Sequence, residues 1–165
     1  MPDTASMIPL DEIGTSGVSD PDTVKSMADT ARTFLELHQW CRSIVKGYFD
    51  RGIPGVVAIF FFEIVPAEAD SEVWVIVGDV PPAYIDVDPD ASSEGCGALE
   101  VYIACMRDWC EAVLDNRPVE DLMPVGYQDT GRPLRPTHKL AVSLNERLDF
   151  LEQKVLPYLR ENRWE

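Results

Sequence analysis

The sequence predicts an α+β domain: a small antiparallel sheet of two to three strands packed with three to four helices, in the order α-β-β-(β)-α-α. Three observations predict it. Apolar residues at three- and four-residue steps mark amphipathic helices on both sides of a central region. Within that region, 55–65 and 72–77 are β-branched and aromatic runs without helical spacing. The connector between them, 66–71, is too short for a crossover helix, so the two runs should pair as an antiparallel hairpin.

Residues 1–18 mix Pro, Gly, Ser, Thr and Asp and predict a flexible N-terminal arm, with Met7, Ile8, Leu10 and Ile13 as its docking residues. Residues 19–165 form the single α+β domain, a normal size for one core. The first helix starts at Ser19-Asp20-Pro21-Asp22, where capping side chains and an early proline suit a helix N-terminus. Met27, Ala31, Phe34, His38, Cys41, Val45 and Tyr48 continue one face, and Gly52 is the expected C-terminal stop. A helix of that length would be long for the domain, so a break is expected near Asp29-Thr30.

The two central runs are apolar on both faces, whereas a sheet with one wet face alternates. Either helices cover both faces, or a partner or second copy closes one of them. Gly78 to Pro82 predicts a rigid turn, and Tyr84 to Val87 an edge strand. After an acidic loop, Leu99, Tyr102, Ile103, Met106, Trp109, Cys110 and Val113 mark a helix over 96–116. A long connector follows, with one helical turn expected near Pro118–Leu122. Thr137 caps a last helix, which Pro157 should kink or end.

The net charge is −15, from 14 basic and 29 acidic residues. Its placement is uneven: between Gly52 and Glu100 there are ten acids and no Lys or Arg. Such a field repels the phosphates of nucleic acid and anionic membrane, and it favours a basic partner. No apolar run approaches the ~18 residues of a membrane span. The N-terminus carries no secretory signature, so a cytoplasmic location is expected. The four cysteines, Cys41, Cys96, Cys105 and Cys110, are then expected as free thiols.

The motifs of chemistry are thin. His38 and Cys41 share a helical face in this reading, but no Cys-x-x-Cys pair accompanies them, and no metal or cofactor is expected. Cys96 beside Gly95 and Gly97 sits where a helix N-terminus can lower a thiol pKa. Asp86-Val-Asp88-Pro-Asp90 opens like a calcium loop, but the pattern then fails at Ala91 and Gly97. No Gly-rich phosphate loop is present. No catalytic residue is assigned.

Trp40-Cys41, together with Trp74 and the run Gly78-Asp79-Val80-Pro81-Pro82-Ala83-Tyr84, resembles an uncharacterised family of small bacterial proteins. Members of that family have a Trp-Cys pair, a strand and a Gly-Asp-x-Pro-x-x-Tyr turn. The resemblance covers about residues 35–115. It implies a bacterial source and a shared fold, and it assigns no functional residue.

Two functional expectations follow. The first is a non-enzymatic acidic interaction protein, most concretely an immunity-type antitoxin against a basic, nuclease-like bacterial toxin domain. Its candidate contacts are Glu68, Asp70, Glu72, Asp79, Asp86, Asp88, Asp90 and Glu94. Trp74 and Tyr84 are candidate aromatic anchors, with core burial the alternative for Trp74. The second is a small enzyme or ligand-binding protein with a pocket between sheet and helices near His38, Cys41 and Asp79. A homodimer through the doubly apolar sheet is compatible with either.

Overall fold

In the computed structural model, which describes residues 2–66, 71–126 and 132–163, the sheet has five strands rather than two or three. They are β1 (Ile8–Pro9), β2 (Cys41–Ile53), β3 (Val57–Pro66), β4 (Glu72–Gly78) and β5 (Val80–Asp86). They lie side by side in chain order as an antiparallel meander. The hairpin expected from the two apolar runs is its centre, with Phe61 opposite Trp74 and their rings 5.2 Å apart.

Successive side chains of a strand point to opposite faces, and here both faces are covered by the chain itself. On one face, Phe60, Phe62 and Val75 pack against α1 (Pro21–Glu36) and the N-terminal segment. On the other, Ile59, Phe61 and Trp74 pack against α2 (Gly95–Leu114) and α3 (His138–Phe150). α4 (Leu156–Glu161) completes that second layer. This explains the missing alternation in β3 and β4, while the start of β2 stays at the surface with Val45 and, on β3, Val65 exposed. Phe60, Phe61 and Phe62 are fully buried, each stabilising the fold by roughly 1.5–3 kcal/mol. The N-terminal segment reaches the core through Met7, Ile8 and Ile13, which are buried, and β1 pairs with Tyr48 and Phe49 of β2.

The expected helix over 20–51 is corrected. α1 is continuous through Asp29 and Thr30 but ends at Glu36, and the rest of that stretch is a turn followed by β2. Trp40 thus sits in the turn and Cys41 opens a strand rather than lying on a helix. Gly47 is the deciding residue. A Cβ there would meet Leu10 Cδ1 and Phe62 Cε1 at 2.7 Å, so any other residue would have to displace those side chains where β2 passes under the N-terminal segment. In the interior of a helix that glycine would cost about 1 kcal/mol. Gly52 lies within β2, not at a helix end. The strand begins at Val80 as well: β4 and β5 meet almost without a loop, because Gly78 (φ 150°) approaches the Val56 carbonyl too closely for any side chain. Pro157 neither ends nor breaks the last helix. The preceding residues Leu151–Val155 widen into a π-helical turn that carries the chain into α4.

One buried charge cluster ties these layers together. β2 is bulged between Phe49 and Arg51, and a bulge lets neighbouring residues face the same side. Asp50 and Arg51 are both buried. Asp50 accepts from Arg51 Nε at 2.7 Å and from Arg163 Nη1 at 2.9 Å. Arg51 Nη1 also donates to the Leu159 carbonyl at 3.0 Å and to Cys96 Sγ at 3.2 Å. Arg163 reaches the Ser6 carbonyl at 3.2 Å, and its own carbonyl accepts from the Gly52 N–H at 2.9 Å. Gly95 abuts the Asp50 carboxylate so closely that a Cβ would overlap it.

Removing one member of a buried ion pair strands its partner, which costs about 3–5 kcal/mol. Asp50→Ala is expected to lower the urea midpoint by a stability loss of that order. A loss within experimental error of zero in equilibrium unfolding contradicts the reading of this cluster.

Candidate functional site

A cleft of about 590 Å³ runs along β5 on the side away from β4. β5 is the last strand of the sheet, and Pro81 and Pro82 suit it to an edge because proline has no N–H for a further ladder. The two helical layers extend past this edge and form the walls. One wall is the end of α1 and the turn after it: Phe34, Leu37 and His38. The other is Val101 of α2 with Met123 and Pro124 from the connector. The floor is Pro82 to Asp86, and Asp88, Ala91 and Ser92 form one end.

The loop at that end is built, not loose. Asp88 Oδ1 accepts from the N–H groups of Asp90 and Ala91 at 2.8 and 2.9 Å. Ser92 Oγ donates to the Asp86 carbonyl at 2.6 Å and accepts from the Asp88 N–H at 2.8 Å. The Ser92 carbonyl accepts from the Trp74 indole at 2.7 Å, so a fully buried core side chain anchors an acidic surface loop. The backbone N–H groups of Ala91 and Asp90 hold the Asp88 carboxyl below its ordinary value. Among the described residues no three His, Cys, Asp or Glu side chains converge as a metal site needs.

On the α1 side of the floor, around Tyr84, four rings gather. His38 packs against Phe34, Trp40 and Tyr84 at 4.8, 5.2 and 5.2 Å between centroids, and Trp40 lies 4.7 Å from Tyr84. His38 Nδ1 lies 2.8 Å from the Phe34 carbonyl. A carbonyl can only accept, so Nδ1 carries a proton and donates it.

The charges of the site are unbalanced. Arg147 pairs with Asp79, Arg160 with Glu100, and Asp50 is held by Arg51 and Arg163. Among the described residues, Asp86 and Asp88 have no Lys or Arg within ion-pair distance, and the cleft lining includes neither type.

No family model, no curated protein and no solved structure matches the chain. The assignment of the site therefore rests on its geometry.

Of the residues expected to contact a partner, Tyr84, Asp86 and Asp88 line this cleft. Asp90 and Glu94 lie beyond its acidic end, in a shallower hollow with Arg51, Cys96 and Arg160. Asp79 is at the β4–β5 turn, paired with Arg147. Glu72 is half-buried, and its Oε2 has no hydrogen-bond partner among the described residues. Glu68 and Asp70 lie outside the described residues. Trp74 is corrected: it is fully buried, bonds Ser92, and cannot be a surface anchor. The pocket expected near His38, Cys41 and Asp79 does not form as such, because only His38 reaches the cleft. Sequence reasoning missed Leu37, Val101 and Met123. Leu37 carries a signal in hindsight, since it stands off the apolar stripe of α1 and is 43% exposed.

The cysteines are unpaired, and none is primed as a nucleophile. Burial pushes the Cys96 thiol up, against the pull of Arg51. Cys41 and Cys105 are raised for the same reason, and Cys110 is pushed up to about 11. With iodoacetamide at pH 8, all four should react slowly in the folded protein, half-exposed Cys105 first and fully buried Cys110 last. Rapid alkylation of Cys96, mapped by mass spectrometry, contradicts this.

The depressed pKa of Asp88 has a defined sign. Its support of the loop is complete above the ordinary aspartate value of 3.8 and is lost as pH falls through the lower folded value. In an acid titration, the amide shifts of Asp90 and Ala91 should move with a midpoint below 3.8. A midpoint at or above that value overturns the assignment of these hydrogen bonds.

Proposed function

We propose that the chain is a non-enzymatic acidic interaction protein that acts in the cytoplasm by binding a basic protein partner at the β5 cleft. The concrete case is an immunity-type antitoxin that covers the nucleic-acid-binding surface of a nuclease-like bacterial toxin domain. One observation carries this reading: the β5 cleft has carboxylates without counter-charges among the described residues, beside an ordered loop. Ordering a loop in advance removes part of the entropy cost of association. Uncompensated charge of one sign speeds encounter with an oppositely charged surface and discriminates against acidic ones. No helix among the described residues is long and apolar enough to cross a membrane.

A small-ligand or enzymatic reading draws on the cleft volume, which falls in the ~300–1,000 Å³ range of ligand pockets. The chemistry of the lining favours binding over reaction. The Ser92 hydroxyl is engaged on both sides by backbone groups, and the nearest polar ring, His38, is packed among three aromatic side chains.

The test is affinity capture from a bacterial lysate at low salt, with mass spectrometry of what is bound and an activity assay of it. The expected result is a basic protein released by high salt, whose nuclease activity the chain suppresses at equimolar ratio. Capture of only acidic or neutral proteins, or of a basic protein whose activity is unaffected, overturns the antitoxin reading.

A further inference from the structure

We propose that the cleft receives an extended, apolar segment of the partner flanked by basic residues, laid against the open edge of β5 as a sixth strand. This deepens the reading above by assigning the structural form of what is bound, and it rests on that reading for the partner's charge.

Three features converge on it. First, β5 ends the sheet among the described residues, so the backbone groups on its outer edge face the cleft rather than another described strand. Such an edge is a template for strand addition unless it is blocked. Here the block is partial. Pro81 and Pro82 remove N–H groups at the start of β5, and Ser92 occupies the Asp86 carbonyl at its end, so pairing is confined to Ala83–Ile85. Second, the walls are apolar and lie on both sides of the edge. An added strand projects alternate side chains to opposite faces. One set would meet Phe34 and the exposed Leu37, the other Val101 and Met123. The cleft floor, Pro82 to Asp86, covers four steps of roughly 3.3 Å, the length of a four- or five-residue segment. Third, the end of the cleft holds Asp86 and Asp88 and, among the described residues, no Lys or Arg. A Lys or Arg at the segment's end finds a carboxylate there, whereas an acidic residue meets repulsion. Apolar walls alone would accept either.

The experiment uses the full chain and a capped fluorescent pentapeptide, Arg-Val-Leu-Val-Arg, whose palindrome serves either strand direction. Three controls accompany it: the Glu-Val-Leu-Val-Glu counterpart, and two versions N-methylated at the odd or at the even amides. Binding is read by fluorescence anisotropy and located by amide shift changes. The expected result is binding of the basic peptide at least tenfold tighter than the acidic one, with shifts at Ala83–Asp86. One N-methylated version should lose binding and the other keep it, because only alternate amides of an added strand face β5. Asp86→Lys, at an exposed position, should weaken the basic peptide about tenfold while leaving the circular dichroism spectrum unchanged. If both N-methylated peptides bind as well as the parent, attachment is by charge alone and the strand inference fails. If the peptide does not bind but a salt-sensitive basic partner is captured and inhibited, the strand inference fails and the interaction reading stands. If the peptide binds at β5 and no basic protein is captured, the interaction reading fails and the edge site stands.

Discussion

The Asp50 carboxylate is the point on which the parts of this fold meet. Taking a carboxylate and a guanidinium out of water costs several kcal/mol per ion, and only close pairing with further hydrogen bonds offsets it. Here the offset recruits distant segments. Arg51 comes from the same strand, Arg163 from the C-terminal end, the Leu159 carbonyl from α4 and the Ser6 carbonyl from the N-terminal segment. Gly95 brings the first turn of α2 against the same carboxylate. The chain from the end of β5 to the start of α2 is thus fixed at both ends: by sheet pairing at Asp86 and by packing on Asp50 at Gly95. That segment is the acidic loop. Its order is inherited from the core at both ends, and from Trp74 in its middle.

The same arrangement decides which charges remain uncompensated. The stretch from Gly52 to Glu100 has no Lys or Arg of its own, so its acids can be neutralised only by cations from elsewhere. The C-terminal helices supply Arg147 to Asp79 and Arg160 to Glu100. They lie on the α2 side of the sheet, and neither arginine reaches the β5 edge cleft. Asp86 and Asp88 stay unpaired among the described residues, beside an apolar groove with an exposed leucine. Acidic charge spread over all rims would only confer solubility. Acidic charge beside an apolar groove whose described lining holds no Lys or Arg is the feature from which a basic partner is proposed.

Much of the fold is legible in the sequence where one physical signal dominates. Doubly apolar runs mark β3 and β4, and the 3.6-residue period with the Thr137 cap marks α2 and α3. β2 was obscured because its three register shifts erase the two-residue alternation of a strand, while Phe34, Cys41, Val45 and Tyr48 by coincidence keep helical steps. Gly47 and the β-branched pair Ile44-Val45 were the counter-signal. β1, at two residues, is too short to carry any period. The cleft was hidden for a different reason. Its walls come from α1, β5, the acidic loop, α2 and the connector near Met123, and only the topology brings them together. The sequence could show Asp86 as an acid at a strand end and Asp88 as an acid in the loop after it, but not that the Arg147 and Arg160 pairings would pass them by.

The central claim is that a partner engages the β5 edge and its acidic loop. Hydrogen exchange of the chain alone and in complex with its captured partner, followed by mass spectrometry, tests it most directly. The account predicts that slowed exchange concentrates in peptides covering residues 82–92 and the end of α1, with the N-terminal segment and α3 unchanged. Protection confined to the N-terminal segment or α3, with none at 82–92, would contradict it.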